Sequence, residues 1–158
     1  YQIARLTTFL NPENDPLGAG YHLLQSKIGI GSGGLAGKGF MLGTQRDLDF
    51  LPEMQTDFIF TIFSEEFGFV GAIGLLLLYF AVVATAMSIA LRAKTQFARL
   101  TVLGVTSTFM LYILINTGMV MGLAPVVGVP LPLVSYGGTV MLTIMAGFGL
   151  VLSAHLSR

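Results

Sequence analysis

The sequence predicts an all-α polytopic membrane protein, with three spanning helices preceded by a long acidic and glycine-rich segment. Three observations lead there. Asp, Glu, Lys and Arg make up only 10% of the 158 residues, against 54% hydrophobic, where soluble domains average about 25% charged. All eight acidic side chains lie within the first 66 residues. Beyond Glu66, residues 67–91 and 100–157 carry no charge. Those stretches hold three helices of roughly 20 residues, the length that crosses about 30 Å of hydrocarbon. Mean hydropathy is +0.80. Eight basic residues balance the eight acidic ones, which excludes a nucleic-acid binder with its basic excess. With no cysteine, a disulfide scaffold or cysteine-ligated metal centre is excluded too.

Residues 1–57 form the polar part. FLNPENDPLGAGYH is rich in turn residues, and YHLLQSKIGI reads as one short amphipathic helix with Leu23, Leu24, Lys27 and Ile28 at an interface. GIGSGGLAGKGF then places six glycines between Gly29 and Gly39. Gly29, Gly31 and Gly34 match G-x-G-x-x-G, but a dinucleotide site needs a strand before them and a helix opening after them, and no parallel-sheet pattern exists here. A flexible loop and a close backbone approach to a polar or anionic group, with Lys38 as a point charge, both remain open. In GTQRDLDFLPEMQTDFIF, Pro52 interrupts any helix before Leu51. Thr56 or Asp57 could cap the following helix. Alternatively Asp57 is a carboxylate at the mouth of a bundle cavity, where desolvation makes it a usable base. His22 and His155 are isolated and lack metal-ligand spacing.

The first span covers residues 58–91, built on FVGAIGLLLLYFAVVATAMSIAL and extended backward through FIFTIFSEEFG. Glu65 and Glu66 then belong near an interface, where their cost is modest. Residues 92–99, RAKTQFAR, hold three basic and no acidic side chains and read as a cytoplasmic loop. The second span covers 100–123, with Ala124-Pro125 ending it. Asn116 inside it is costly unless a neighbouring helix satisfies it. The uncharged, proline-rich loop 124–132 belongs outside, and the third span covers 133–157. After Pro130 and Pro132, Ser135-Tyr136-Gly137-Gly138 favours a re-entrant or broken helix end, since such backbone is tolerated where it lines protein or a cavity. Arg158, two crossings from the basic loop, is also cytoplasmic, which puts residues 1–57 outside. Three helices are a thin bundle for that much polar material, so the chain is expected to be the C-terminal part of a larger polytopic protein.

FLNPENDPLGAGYHLLQSKIGIGSGGLAGKGF, GTQRDLDFLPEMQTDFIFTIFSEEFGFVG and PVVGVPLPLVSYGG together resemble the SEDS family (shape, elongation, division and sporulation proteins) over essentially the whole chain. The strongest piece is Glu53-x-x-Thr56-Asp57-Phe58-Ile59-Phe60. QSKIGIGSGG, GKGF followed by GTQ, and PVVGVPLPLV point to the elongation branch. Val127 departs from division-type members, which carry a lysine there. The resemblance implies a ten-helix bacterial inner-membrane fold, of which this chain holds the large extracytoplasmic loop and the last three helices. It also implies a glycosyltransferase that polymerises lipid II into glycan strands. The implied partners are a class B penicillin-binding protein, which is a transpeptidase, and elongation-complex membrane proteins, with no nucleic acid. The family's essential loop carboxylate matches Asp57, and a second one matches Asp49. Glu53, Lys38, Glu65 and Glu66 would surround the site. Lys27, Lys38 and Arg46 are the cations between residues 20 and 60 that could meet a pyrophosphate, and a divalent cation, Mg²⁺ or Mn²⁺, could supply the rest. Two alternatives stand beside this reading: a lipid II flippase, and a non-catalytic scaffold for the transpeptidase. A flippase places charged groups through the membrane, whereas the second and third spans contain none.

Overall fold

The computed structural model describes residues 19–40, 42–43 and 56–156. Among them the chain forms four helices: α1 (Ala19–Ser32), α2 (Ile59–Arg92), α3 (Gln96–Val120) and α4 (Gly138–Leu156). The last three are long and apolar enough to cross a membrane, and this is a multi-pass membrane protein.

Helix α1 extends past YHLLQSKIGI and takes in Gly29 and Gly31, so the glycine-rich loop is shorter than its composition suggests. Its inward face holds Leu23 and Ser26, while Leu24 and Ile28 point outward. The N-cap position of α2 falls on Phe58 rather than on Thr56 or Asp57, and the Phe58 side chain makes no capping bond. At Gly68, α2 is broken by a residue with φ 69° and ψ −167°. The break divides it into a short piece, residues 59–67, and a spanning piece, residues 69–92. The spanning piece is about 36 Å long at 1.5 Å per residue, enough to cross the bilayer. Glu65 and Glu66 are buried inside the protein, next to the break in α2.

Helix α3 starts four residues before the expected Leu100, because Thr95 accepts a hydrogen bond from the Ala98 amide at 3.2 Å and caps it. It ends at Val120, ahead of Ala124-Pro125. Gly122, with φ 73°, turns the chain, and the Leu123 amide bonds back to Gly118 O at 2.7 Å. This is a glycine-terminated helix end. One stripe of α3, formed by Val102, Thr106, Phe109, Ile113, Asn116 and Val120, is buried, the spacing of a single helical face.

Two buried clusters join the helices. Near the start of α2, Phe58, Phe60, Tyr79, Phe109, Ile113, Met119, Val120 and Leu131 pack together. Toward the other end, Ala86, Ala90, Val102, Val151 and Ala154 let the helices approach closely. The chain between α3 and α4 folds back over the first cluster, burying Leu131 and Pro132.

Candidate functional site

The polar residues gather at the end of the bundle where α2 begins. The break at Gly68 leaves peptide groups of α2 without helical partners, and the glycine loop supplies them. Lys38 and Gly39 donate their amides to the carbonyls of Glu65 and Glu66 at 3.0 and 3.1 Å, while Phe69 and Val70 donate to Gly34 and Leu35 at 2.9 and 3.2 Å. A Cβ on Gly33 would collide with the Ser64 carbonyl, one on Gly37 with the Glu66 carbonyl, and one on Gly68 with the Gly37 amide. Close backbone approach is therefore what these glycines provide, and the polar groups approached are the chain's own broken helix. The Lys38 ammonium lies 2.6 Å from Glu65 Oε1, and Ser32 Oγ donates to the same oxygen at 3.4 Å. Lys38 thus compensates a fully buried carboxylate. Glu66 is buried beside it, its Cγ within reach of Gly43.

Asp57 sits in the turn before α2 and is partly exposed. Its Oδ2 would be 3.1 Å from a Cβ on Gly128, a residue with φ 76°, so the loop after α3 lies close against this carboxylate. Asn116, fully buried in α3, donates through Nδ2 to the carbonyls of Asp57 at 2.9 Å and Val129 at 2.6 Å. The partners of its amino group are main chain outside the helices, not the facing helix that a mid-span asparagine suggests. Ser135 Oγ donates to the Thr56 carbonyl and accepts from the Leu131 amide at 2.7 Å. Pro132 is buried, with its carbonyl accepting from the Tyr79 hydroxyl at 2.5 Å. Pro130 is half-buried in the same loop. Gly137 and Gly138 have room for a Cβ, and nothing in the structure explains a need for glycine there.

On the α1 side, Ser26 Oγ donates to Val120 O at 2.9 Å and lies 2.8 Å from Thr61 Oγ1, clamping α1 to the short piece of α2 and to the end of α3. One residue on, Lys27 is exposed. Its ammonium packs over Gly122, 2.7 Å from where a Cβ would stand. Asp49, Glu53, Arg46 and Pro52 lie outside the described residues. The structure therefore brings Asp57 together with Asn116, Gly128 and Ser135, and Lys38 with Glu65. Sequence reasoning passed over Gly68, Gly128, Ser26 and Tyr79; the glycine following the buried acidic pair in EEFG was the one local signal of the break. Chemically, the end of the bundle offers a held, partly exposed carboxylate and an exposed ammonium.

A family model described as "Cell cycle protein", for FtsW, RodA and SpoVE, matches residues 1–158. The peptidoglycan glycosyltransferase MrdB of Escherichia coli K12 is 54% identical over 158 residues, covering 100% of this chain and 43% of its own length. The peptidoglycan glycosyltransferase RodA of Treponema pallidum is 46% identical, covering 98% of this chain and 36% of its own. Among solved structures, a chain from a peptidoglycan synthase complex that coordinates polymerization and crosslinking superposes with a TM-score of 0.81 at 34% identity, over 100% of this chain and 42% of that one. Thermus thermophilus rod shape determining protein RodA superposes with a TM-score of 0.65 at 36% identity, over 78% of this chain and 38% of that one. The chain thus spans less than half the length of these relatives.

Proposed function

The chain belongs to the FtsW, RodA and SpoVE family of cell cycle proteins, and from that premise we propose that the whole protein polymerises lipid II into peptidoglycan glycan strands during cell elongation. The single observation that carries the site assignment is the Asp57 carboxylate: partly exposed, set against Gly128, on a segment fixed by Asn116 and Ser135. In this reading Asp57 takes the proton from the 4-hydroxyl of the acceptor GlcNAc. The oxygen attacks C1 of the donor MurNAc, and the bond from C1 to the undecaprenyl pyrophosphate breaks, the electron pair leaving with the phosphate. The anomeric centre inverts from alpha to beta in one displacement, which one carboxylate can serve without a covalent intermediate.

In this reading Lys27, exposed beside Gly122, meets the leaving pyrophosphate, whereas Lys38 is engaged with Glu65. A divalent cation, Mg²⁺ or Mn²⁺, would need ligands from elsewhere. Among the described residues no three of His, Cys, Asp and Glu lie together, and no step here runs through a metal. Asp57 and the basic stretch Arg92 to Arg99 lie at opposite ends of α2. With the basic end cytoplasmic, the carboxylate faces the outer side of the bacterial inner membrane, where the lipid-anchored substrate and a class B penicillin-binding protein with its elongation-complex neighbours would meet it.

The test supplies lipid II to the full-length protein with its transpeptidase partner in liposomes and compares Asp57→Asn with the native protein at matched folding and partner binding. Glycan polymer from the native protein and a loss of at least ~100-fold in the variant is expected. Equal polymer from both removes Asp57 from the chemistry.

A further inference from the structure

We propose that Asn116 and Ser135 are paired positioning residues that set the direction of the Asp57 carboxylate by stapling its main chain to the loop after α3. This rests on the assignment of Asp57 as the base. Both side chains join the same two segments. Asn116 binds the carbonyls of Asp57 and Val129; Ser135 binds the carbonyl of Thr56 and the amide of Leu131. Four hydrogen bonds therefore tie two consecutive carbonyls ahead of α2 to loop residues 129–131, directly after Gly128, the residue at the Asp57 carboxylate.

The chemistry of the two side chains suits this task. Asn116 faces carbonyl oxygens on both sides, so its amino end must point at them. Its Oδ1 has no hydrogen-bond partner among the described residues. An apolar residue in place of Asn116 would leave both carbonyls without this donor. Ser135 acts as donor and acceptor at once, which neither alanine nor valine can reproduce. The hydrogen bonds of both side chains go to main chain, not to the carboxylate. Their effect runs through the backbone, and a displacement of about 1 Å at a reacting group can cost on the order of 100-fold in rate.

The experiment uses the full-length protein in liposomes, with Asn116→Ala, Ser135→Ala and the double variant. Thr106→Val is the control: Thr106 is buried on the same face of α3 but bonds only its own helix, through Val102 O at 2.7 Å. Three readouts are taken: kcat and KM for lipid II, the unfolding temperature, and amide hydrogen exchange across residues 56–62 and 127–131. Each single variant should lower kcat roughly 10- to 100-fold with KM within about twofold, and raise exchange in both segments. The double variant should lose less than the product of the two, since both residues hold one joint. Unchanged exchange in Asn116→Ala and Ser135→Ala overturns the staple outright. A loss of kcat that merely follows unfolding temperature, and is matched by Thr106→Val, overturns it as well. Normal turnover by Asp57→Asn would instead refute the assignment of the base, and exchange would still decide whether the two residues hold the segment.

Discussion

A methyl group on Gly128 meets two obstacles at once. The backbone there has φ 76°, and the new Cβ would stand 3.1 Å from Asp57 Oδ2. Gly128→Ala should therefore destabilise the full-length protein by about 1–2 kcal/mol through the left-handed backbone alone. It should also turn the carboxylate, lowering lipid II polymerisation by at least ~10-fold; thermal unfolding and polymer yield read the two effects separately. Gly122→Ala makes a contrasting pair. It displaces the Lys27 ammonium rather than Asp57, so its kinetic signature should lie in the handling of pyrophosphate, with a weakened response to added pyrophosphate as inhibitor. At this scale the sequence was informative about which residue types were out of place and silent about what they touch. Asn116 advertised itself as a polar group within an apolar run. Its partners lie 59 and 13 positions away in the chain, and only the return of the loop over α2 brings them there. Gly128 gave no such signal, because a glycine between prolines reads as any turn.

The joint between the glycine loop and α2 makes its own demands. Gly37 has φ 79°, and a Cβ there would collide with the Glu66 carbonyl. Gly37→Ala should cost about 3 kcal/mol or more, combining strained backbone with a clash that neither main chain can relieve. Lys38→Met strips the compensating charge from a fully buried Glu65 and should cost ~3–5 kcal/mol, whereas Lys38→Met combined with Glu65→Gln should recover most of it. Unfolding of the full-length variants in detergent measures both, and equal losses in the single and double variants would contradict the pairing. The apolar run of α2 was plain from composition. The break was not, because a hydropathy pattern is blind to φ and Gly68 is not a proline. The start of α3 moved for a similar reason: Thr95 caps the helix within the basic stretch that charge alone marked as loop.

Across the whole molecule, the helices show the surface of a protein meant for an apolar medium. Leu77, Leu78, Phe80, Leu91, Leu142 and Leu150 all point outward. Charge placement made the three crossings legible in advance, since an ionised side chain within hydrocarbon is expensive. The carboxylate site was legible only as a list of residues near one end. The proposed sidedness has a direct check, because the chain contains no cysteine of its own. In a full-length background without other cysteines, Val127→Cys should react with an impermeant maleimide in intact spheroplasts, and Lys94→Cys only after lysis. The reverse pattern would place Asp57 on the cytoplasmic face and remove it from any outer-surface chemistry. The interrupted turn at Gly68 also bears on biosynthesis. Residues 33–39 are made before residues 64–70, so the loop must wait for the peptide groups it will seal. Until it docks, the opened turn has amides and carbonyls that only water can satisfy. A loop that fails to dock leaves those groups unpaired at the start of a membrane-spanning helix, where hydrocarbon offers them no partner.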